Sequence, residues 1–596
     1  MIEATGPTLP PLADDAHLLE PLLQHGRDSG SRAVAAYRDG DRFVDVGAAE
    51  LLSRVRALAK GLIASGVAAG DRVALMSATR LEWLVVDYAI LAAGAVTVPI
   101  YETSSAEQVH WILTDSGATI AIFETPAMAQ LFTKAPVAAP DCREALTINE
   151  GGLEELTRRG ADISDADLDA RLAALTVDDL ATIIYTSGTT GRPKGCMLTH
   201  RNLRTNVIQS AQVLEGSASA EDTTLLFLPL AHVLAKIIAL VCVEKGAKIC
   251  FATGTTKLLE EMPMAQPTML VSVPRVFEKV YNGASHKAHS EGKGAIFDKA
   301  AAVATEWSMA QSSGLRRLVL NAEHAAFDKL VYSKIRAAFG GRLRMSFSGG
   351  GPLGERLTHF FHGIGVRILE GYGLTETSPT LTANRSDAWK PGTVGRPLAG
   401  TSIKIADDGE ILTKGPQVFK GYWHNPAATA EVFTEDGWFR TGDVGELDDE
   451  GYLRITGRAK DLIVTAAGKN VAPAPLEDRL RAHALISQAV VVGERRPFIA
   501  ALLALDEEAL AQWAADTKAP GNTASELADN PELRSVLQAA VDDANQSVSR
   551  AESIRKFAIL PRDLTIADSE VTPTLKVRRS TVEKTYADVI EDLYRA

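Results

Sequence analysis

The stretch YTSGTTGRPKG, residues Tyr185 to Gly195, decides how the rest of this chain is read. An apolar, strand-like segment, Leu180–Tyr185, leads into it, and a helical pattern beginning at Thr199 or His200 follows. Glycines allow backbone N–H groups to turn inward and approach a ligand closely. Successive inward N–H groups form a concave anion site. The hydroxyls and Lys194 add further donors, so the stretch predicts a polyphosphate-binding loop.

The loop differs from a Walker P-loop, which requires Gly, four residues and then Gly-Lys-Ser/Thr. Five residues after Gly188 the chain has Pro193, and Lys194 is followed by Gly195. A flexible linker is the other interpretation. Gly/Ser linkers do not usually lie between an apolar strand and a helix start, which favours the phosphate loop.

Outward from this loop, strand-like and helix-like segments alternate along the chain. The patterns predict strands at Asp71–Met76, Ala95–Ile100 and Ala118–Phe123, with a helix at Glu82–Ala93. Such alternation is typical of α/β layers around a largely parallel sheet. The fold class predicted here is therefore α/β.

The sequence pattern changes in the second half of the chain. Two long helical patterns, Ile296–Gln311 and Leu318–Phe339, lie in a segment from Gly283 to Gly341 that reads as a helical insertion. Short strands with Gly and Asp turns from Gly392 to Ile455 indicate an antiparallel subdomain. The candidate domain boundary lies at Arg458 to Asp461.

Composition excludes several classes of function. The chain has 596 residues and a formal net charge of −13, whereas a nucleic-acid binder usually presents a basic face. Its cysteines form no CxxC pair, which argues against a metal site. We find no signal-peptide pattern at the start and no apolar run of about 18 residues. A cytoplasmic location is the expectation.

Four further motifs follow the loop in order: GYGLTET at Gly371–Thr377, TGD at Thr441–Asp443, GRAKD at Gly457–Asp461 and PTLK at Pro573–Lys576. Together with the loop, this order resembles the adenylate-forming superfamily of acyl- and aryl-CoA synthetases, luciferases and peptide-synthetase adenylation domains. The resemblance covers nearly the whole chain.

The resemblance implies the architecture. It is a large N-terminal region of layered α/β subdomains with a small antiparallel β subdomain, followed by a small mobile α/β C-terminal domain. We therefore expect residues 1–459 to bind ATP and a fatty acid, with the helical insertion at 283–341. Residues 460–596 are expected to form the mobile domain that carries the catalytic lysine.

The residues of these motifs also fit a nucleotide chemically. Tyr372 offers an aromatic face to a purine, and Thr375 can donate to the α-phosphate. Glu376 suits Mg²⁺, which takes oxygen ligands and usually only one or two carboxylates. Asp443 is an acceptor-only side chain, suited to ribose hydroxyls.

The resemblance extends these assignments. It places Arg458 near ribose and phosphate, makes Lys460 the hinge and brings Lys576 between the substrate carboxylate and the α-phosphate. The family commonly has Gly where this chain has Leu575, a difference that affects the flexibility of the lysine loop. The role of Asn470 stays open. Catalytic roles fall on Lys576, Thr375, Glu376, Lys194 and His232. Nucleotide and cofactor contacts fall on Thr186, Ser187, Gly188, Thr189, Thr190, Gly191, Lys194, Gly350, Gly351, Gly371, Tyr372, Gly373, Thr375, Asp443, Arg458 and Gly468.

Three stretches resemble long-chain fatty-acid–CoA ligases and so indicate the class of acid substrate. They are Phe227–Val233, VPRVFEK at Val273–Lys279 and the helical insertion. The implied reaction joins a fatty acid to AMP with Mg-ATP and then transfers the acyl group to coenzyme A. His232 is expected at the mouth of the acyl tunnel or near the carboxylate, or else as a structural histidine. No Asp to hold a substrate amino group occurs from Pro229 to Phe251.

Two alternatives stay open. One is a fatty acyl-AMP ligase that delivers acyl groups to a carrier protein. Tyr452 to Pro475 shows no insertion of the kind that hinders the CoA conformation in some of those ligases, which favours CoA. The other is a non-catalytic nucleotide or lipid sensor. The basic helical insertion suggests peripheral contact with anionic lipid or simply a solvated face. Oligomeric state is not readable.

Overall fold

The computed structural model describes residues 2–133, 139–186, 192–254, 257–310, 315–466, 469–550, 552–572 and 576–595. Its strands, in chain order, are β1 (Glu3–Thr5), β2 (Ala33–Asp39), β3 (Arg42–Gly47), β4 (Arg72–Met76), β5 (Val96–Ile100), β6 (Ala118–Phe123), β7 (Glu144–Thr147), β8 (Leu180–Thr186), β9 (Lys194–Thr199), β10 (Thr223–Leu226), β11 (Lys248–Phe251), β12 (Met269–Ser272), β13 (Met345–Ser348), β14 (Arg367–Gly373), β15 (Thr380–Ala383), β16 (Arg396–Pro397), β17 (Ser402–Ile405), β18 (Glu410–Lys414), β19 (Gly421–Tyr422), β20 (Phe439–Leu447), β21 (Leu453–Arg458), β22 (Ile463–Val464), β23 (Asn470–Val471), β24 (Ile486–Val492), β25 (Ile499–Leu505) and β26 (Ile554–Ile559).

The helices, in chain order, are α1 (Glu20–Asp28), α2 (Ala48–Ala64), α3 (Leu81–Ala92), α4 (Ala106–Ser116), α5 (Pro126–Thr133), α6 (Gly152–Arg159), α7 (Asp165–Ala173), α8 (His200–Val213), α9 (Val233–Lys245), α10 (Leu258–Ala265), α11 (Pro274–Ser290), α12 (Gly294–Met309), α13 (Leu315–Phe327), α14 (Ser333–Ala338), α15 (Glu355–Gly363), α16 (Pro426–Glu431), α17 (Pro473–Arg481), α18 (Glu507–Thr517), α19 (Ala524–Leu527), α20 (Pro531–Asn545), α21 (Arg579–Thr585) and α22 (Ala587–Tyr594). Within the described part of the chain, no helix combines the length and hydropathy that a membrane crossing requires.

The glycine-rich loop belongs to a seven-stranded sheet of order β19-β9-β8-β5-β4-β6-β7. Strands β8, β5, β4, β6 and β7 run parallel, as the alternating pattern predicts; β9 is antiparallel to β8, and β19 is antiparallel to β9. The predicted helix start at Thr199 or His200 is confirmed, since α8 begins at His200. The strand β9 between the loop and this helix was not predicted; it pairs antiparallel with β8, with Thr186 opposite Lys194. Strands β8 and β9 therefore form a hairpin.

A second, five-stranded sheet of order β12-β13-β14-β15-β16 carries the GYGLTET segment at the end of β14. The four-stranded sheet β10-β11-β2-β3 is separate from it. The helical segment begins earlier than position 283, because α11 starts at Pro274. The second long helical pattern is also interrupted, since a π-helical turn at Asp328–Tyr332 separates α13 from α14.

The predicted antiparallel subdomain is confirmed as the sheet β1-β17-β18-β20-β21. Its edge strand β1 comes from the N-terminus and pairs with β17, which the local pattern did not predict. After β21 the chain forms a smaller unit around the sheet β24-β25-β26, which has hydrophobic clusters of its own.

A buried ion pair fixes α9 against α3 inside the main core. The Lys236 ammonium donates to both oxygens of Asp87, at 2.6 and 2.5 Å, and both side chains are 1% exposed. The same ammonium lies 5.6 Å from the ring centroid of Trp83. A buried charge requires such a partner because desolvation of an unpaired ion is costly. The pair sets the position of α9, which lines the cavity described next.

Candidate functional site

One large cavity of about 2200 Å³ lies between the main region and the C-terminal unit. This volume exceeds the roughly 300–1,000 Å³ of a typical ligand pocket, so there is room for more than one substrate. The predicted residues that line it are Thr186, Lys194, His232, Gly350, Gly351, Gly371, Tyr372, Gly373, Thr375, Glu376, Asp443, Arg458, Lys460 and Lys576. The predicted contacts Ser187, Gly188, Thr189, Thr190, Gly191 and Gly468 lie outside the described residues.

Aromatic side chains hold the base of the phosphate-loop hairpin. The Trp111 indole N–H donates to the Pro193 carbonyl at 2.9 Å, and the Arg192 guanidinium lies 4.8 Å from the Trp111 ring centroid. At Gly195 a Cβ would lie 2.7 Å from Cγ2 of Ile183 and 3.3 Å from Cβ of Trp423. Only glycine fits this close approach, which explains the last glycine of the motif.

Glu376 lies in a short 3₁₀ turn directly after β14. Its Oε1 accepts a hydrogen bond from the Tyr422 hydroxyl at 2.9 Å, and the ring of Tyr422 has the Lys194 ammonium 5.1 Å from its centroid. Sequence reasoning missed Tyr422. It reaches the site because β19 pairs with β9, which places Tyr422 opposite Cys196. Tyr422 thus joins two motifs that lie far apart in the chain, those of Glu376 and Lys194.

Asp443 is bonded to two residues that were each predicted to contact a different part of the nucleotide. Its Oδ2 accepts from the Tyr372 hydroxyl at 2.7 Å, and its Oδ1 lies 3.0 Å from Nε of Arg458. Cross-strand pairing between β20 and β21 sets the second contact. The Asp443 charge raises the pKa of Arg458. Burial, followed by the Asp443 charge, raises the pKa of Tyr372.

The glycines around Tyr372 have a packing role that the sequence did not indicate. A Cβ at Gly373 would lie 1.7 Å from the Pro379 carbonyl oxygen, so any larger residue would displace the backbone. Tyr372 itself packs against a small hydrophobic cluster that includes Leu381 and Ile403. Gly373 therefore serves the close packing of β14 on the segment that follows it.

Lys576 belongs to the C-terminal unit but lines the cavity of the main region. A Cβ built on Gly350 would lie 3.9 Å from Cε of Lys576, so the lysine stem passes close to the Gly350–Gly351 turn. Desolvation, followed by the charge of Arg458, lowers the pKa of Lys576, and Asp443 and Glu376 oppose the shift. An arriving phosphate would offset the desolvation and repulsion and favour the ammonium form.

His232 caps the N-terminus of α9, where its Nδ1 accepts a hydrogen bond from the backbone N–H of Leu234 at 3.1 Å. Burial, with a further contribution from the Lys576 charge, lowers the pKa of His232 to about 3. The ring is therefore neutral at physiological pH. Since Nδ1 accepts, the proton resides on Nε2, which makes Nε2 a donor.

Beyond His232 the cavity becomes apolar. Its walls come from one face each of α8 and α9 and from strands β12 and β13, whose side chains sequence reasoning did not locate. Residues along α9 at spacings of three and four face the cavity, as a helix presents one stripe. The lining side chains are Val213, Leu214, Leu234, Ile237, Ile238, Val241, Met269, Val271 and Phe347.

Among the described residues, one carboxylate is suited to be the protein ligand of a magnesium ion. Within the described ranges, no group of three or more His, Cys, Asp and Glu side chains gathers at one point. Mg²⁺ is usually held by one or two carboxylates together with substrate phosphates and waters. Glu376 meets that requirement because it lines the cavity beside Lys194, on the phosphate-loop hairpin.

Comparisons with known proteins agree with this geometry. Models described as AMP-binding enzyme and AMP-binding enzyme C-terminal domain match residues 26–423 and 460–596. The chain is 51% identical over 578 residues, 96% of each protein, to the Mycobacterium bovis long-chain-fatty-acid–CoA ligase FadD15. It is 30% identical over 580 residues to the Arabidopsis thaliana long chain acyl-CoA synthetase 7, peroxisomal, covering 91% of this chain and 81% of that one.

Solved structures share the fold. The crystal structure of ATP-bound MatB from Rhodopseudomonas palustris matches with a TM-score of 0.70 at 25% identity, over 97% of this chain and 100% of that one. The A domain of the carboxylic acid reductase from Segniliparus rugosus, in complex with AMP and a co-purified carboxylic acid, matches with a TM-score of 0.74 at 22% identity. That match covers 97% of this chain and 94% of the other, and it bears on the fold alone.

Proposed function

This chain belongs to the family of AMP-binding enzymes, and on that premise we propose that it is a long-chain fatty-acid–CoA ligase. It activates a fatty acid with ATP to give acyl-AMP and pyrophosphate. It then transfers the acyl group to the thiol of coenzyme A, which releases AMP. The named relatives at 51% and 30% identity support this assignment.

One observation carries the proposal: a single cavity joins a polar, cationic end to an apolar arm. Lys194, Arg458 and Lys576 lie at the polar end, and the apolar arm runs between α8, α9 and the strands β12 and β13. Burying a methylene contributes about 0.8 kcal/mol, so an apolar arm favours a long acyl chain. A triphosphate and a fatty acid meet where the two parts join, beside His232.

Activation is chiefly a matter of position and charge. A carboxylate oxygen attacks the α-phosphorus, that P–O bond forms, and the bond to the pyrophosphate oxygen breaks. Such a transfer gains most from alignment and from fixed cations around the phosphoryl oxygens. We assign this role to Lys194 and Lys576. Thr375, next to Glu376 on the cavity wall, is assigned as a donor to the α-phosphate.

The nucleoside is assigned to the other motifs. Asp443 accepts from the ribose hydroxyls, and its bonds from Tyr372 and Arg458 hold the carboxylate in place. The Gly350–Gly351 turn is assigned to the adenine. The remaining contacts proposed for the phosphates are those of the loop from Thr186 to Lys194.

Glu376 is proposed as the protein ligand of Mg²⁺, which would neutralise charge on the phosphates. Its hydrogen bond from Tyr422 leaves the carboxylate oriented toward the hairpin that carries Lys194. His232 is proposed to donate from Nε2 to the substrate carboxylate. A neutral donor orients that group without forming an ion pair that would hold it back from attack.

Thioester formation requires the same cavity for different chemistry. We propose that the C-terminal domain, residues 460–596, rotates about Lys460 and removes Lys576, after which the thiol of coenzyme A attacks the acyl carbon. AMP leaves and the thiol proton passes to solvent. Lys460→Pro fixes φ at the hinge and is expected to spare adenylation and impair thioester formation. Equal loss of both steps would contradict the hinge role.

The test is ATP–pyrophosphate exchange across an acid series from acetate to oleate, followed by coenzyme A and detection of the thioester by mass spectrometry. Exchange that rises with chain length, with acyl-CoA formed after coenzyme A is added, supports the proposal. Acyl-AMP that accumulates and reacts only with the free thiol of a carrier protein would favour the carrier-dependent ligase. An absence of AMP and diphosphate with every acid would refute both.

We also propose that the segment 283–341 contacts anionic lipid, where fatty acids partition. It has eight Lys and Arg against five Asp and Glu, in a chain of net charge −13. Large apolar side chains are exposed on it: Ile296, Met309, Leu318, Val319 and Leu330, by 48–66%. Cations beside exposed apolar groups are typical of interfacial helices.

Vesicle flotation tests this contact. Leu318→Asp combined with Val319→Asp is expected to abolish flotation with phosphatidylglycerol vesicles. Leu259→Asp is the matched control, because Leu259 is also exposed, by 51%, but lies on α10 outside the segment. Flotation that is equal for all three proteins, or absent in the unmodified one, would contradict the proposal.

A further inference from the structure

The motif Val273–Lys279 has so far served only as a point of resemblance, yet it lies where the two parts of the protein meet. The motif directly follows β12, with Val273 as the N-cap of α11, and forms the first two turns of that helix, which begins at Pro274. Proline at the first helical position is favoured because its missing N–H needs no partner there. The motif is thus a rigid helix start.

One side of this helix start supports the nucleotide end of the cavity. A Cβ built on Gly350 would lie 3.8 Å from Cγ1 of Val273, and one on Gly351 would lie 3.8 Å from Cγ of Pro274. Gly350 has a φ of 82°, in the left-handed region that favours glycine. Val273 and Pro274 therefore lie directly behind the turn beside which the Lys576 stem passes.

The other side of the same turns contacts the C-terminal unit. Nη2 of Arg275 donates to Oδ2 of Asp506 at 3.1 Å, and the two side chains are 24% and 31% exposed. One turn further along α11, the Lys279 ammonium lies 4.0 Å from Oε2 of Glu508. Residues four apart share a helix face, so the two cations form one row against α18.

Asp506 is well placed for this contact because it caps α18. Its Oδ1 accepts from the backbone N–H of Ala509 at 3.1 Å, which leaves Oδ2 for Arg275. The cap holds the carboxylate in one orientation. A residue of its own helix also holds Arg275, because Nη1 of Arg275 lies 3.6 Å from Oε2 of Glu278.

We infer that Arg275 is a positioning residue that docks the C-terminal domain through Asp506 and so keeps Lys576 in the cavity during adenylation. The inference rests on the proposed function. A partly exposed ion pair is a weak interaction. That suits a contact that must break when the domain turns for the second step. Arg275 does not touch the cavity, so its effect passes through the domain position alone.

The first test measures the two half-reactions separately in Arg275→Gln, Asp506→Asn and the double variant. Asparagine is as good a helix cap as aspartate, so Asp506→Asn removes the charge and keeps α18. We expect kcat of ATP–pyrophosphate exchange to fall about three- to fivefold in each single variant, as loss of a weak ion pair allows, and no further in the double variant, since both remove one contact. KM for ATP and the reaction of supplied palmitoyl-AMP with coenzyme A stay within about twofold.

The matched control is Arg158→Gln, which removes an arginine that is 73% exposed and pairs with Glu155, one turn away on the same helix. It is expected to leave both half-reactions unchanged. Losses that multiply in the double variant would overturn the inference, and so would equal losses in the two half-reactions.

A second measurement reports docking without turnover. Amide hydrogen exchange at α18 and at the start of α11 is expected to be faster in Arg275→Gln than in the unmodified protein and unchanged in Arg158→Gln. Unchanged exchange at α18 in Arg275→Gln would overturn the docking role. If the unmodified protein forms no acyl-AMP, the proposed function fails, and the exchange result still decides whether Arg275 docks the domain.

Discussion

The hydroxyl of Tyr372 donates to Oδ2 of Asp443 across 2.7 Å, which joins the GYGLTET motif to the TGD motif 71 residues later. Arg458 holds the other oxygen of the same carboxylate at 3.0 Å. Asp443 is 5% exposed, so these two bonds determine where its lone pairs point. The aromatic residue therefore orients the carboxylate proposed to bind ribose, whatever it contributes to the adenine.

Tyr372→Phe tests this relationship because it removes only the donor. A hydrogen bond to a charged group contributes about 1.5–3 kcal/mol, so we expect KM for ATP to rise about tenfold or more, with a smaller change in kcat. Steady-state pyrophosphate exchange measures both. Leucine at the same position, which also removes the ring, is expected to cost more. A phenylalanine variant equal to the unmodified enzyme would exclude the orienting role.

Lys576→Ala is expected to slow adenylation on the order of 100- to 1000-fold, the usual effect of removing one preorganised group that stabilises transition-state charge. Reaction of supplied palmitoyl-AMP with coenzyme A is expected to continue, since the proposed domain rotation removes Lys576 from the cavity before that step. Lys584→Ala, on α21 of the same domain, is the control. An unchanged exchange rate in Lys576→Ala would remove the lysine from the mechanism.

Val241→Trp is expected to shorten the acyl chains that the enzyme accepts. Val241 lines the apolar arm two turns beyond Leu234 on α9, about 10 Å further along the helix. An indole there blocks the arm at depth, so kcat/KM for palmitate falls while that for octanoate is retained. The ratio of the two acids is the measurement. A parallel loss for both acids would mean that the arm does not hold the chain end.

Single substitutions in the Lys236–Asp87 pair are expected to be more harmful than removing both charges. Asp87→Leu or Lys236→Met leaves one buried, unpaired charge, which costs about 3–5 kcal/mol of unfolding free energy. The double variant replaces both charges with apolar groups and recovers most of that loss. Urea unfolding of the three variants gives the comparison. A double variant as unstable as the sum of the singles would contradict the coupling.

Acid is expected to destabilise the fold partly through His200. Burial, followed by the charge of His17, lowers the pKa of His200 to about 3, and its Nδ1 accepts from the Leu18 N–H at 3.3 Å. In the unfolded chain this histidine has a pKa of about 6.5, so it binds a proton at pH values at which the folded one stays neutral. Stability is therefore retained above that pKa and falls as the pH decreases toward the folded pKa.

The slope is at most about 1.4 kcal/mol per pH unit for each such histidine. His200→Gln keeps an acceptor and removes the proton site, so its unfolding free energy is expected to fall less between about pH 7 and about pH 5. Urea unfolding at these values measures the difference. His232 also has its pKa lowered to about 3, so some dependence remains in the variant. Parallel slopes for the two proteins would contradict the assignment to His200.

Patterns among neighbouring residues were sufficient to predict much of the nucleotide-binding end of the cavity. The strands at Arg72–Met76, Val96–Ile100 and Ala118–Phe123 lie where alternation predicts them, and His200 begins a helix behind the glycine loop. These are contiguous patterns, set by side-chain periodicity and by the backbone freedom of glycine. The motifs in their order also identify the family, because each carries its chemistry within a few neighbouring residues.

Contacts between distant segments required the three-dimensional structure. Tyr422 reaches Glu376 only because β19 joins β9, and β1 joins the antiparallel sheet from the far end of the chain. Strand register is a property of two segments together, so neither segment encodes it alone. The apolar arm is likewise assembled from α8, α9, β12 and β13.

The motif at Val273–Lys279 illustrates the same division. In the sequence it offers only a family resemblance, and the helix that starts at Pro274 is seen in the structure. That Arg275 meets Asp506, 231 positions later, follows from how α11 and α18 face each other. Local patterns thus determine elements and reactive groups, whereas packing decides which of them share a cavity, since burial and pairing energies depend on the whole arrangement.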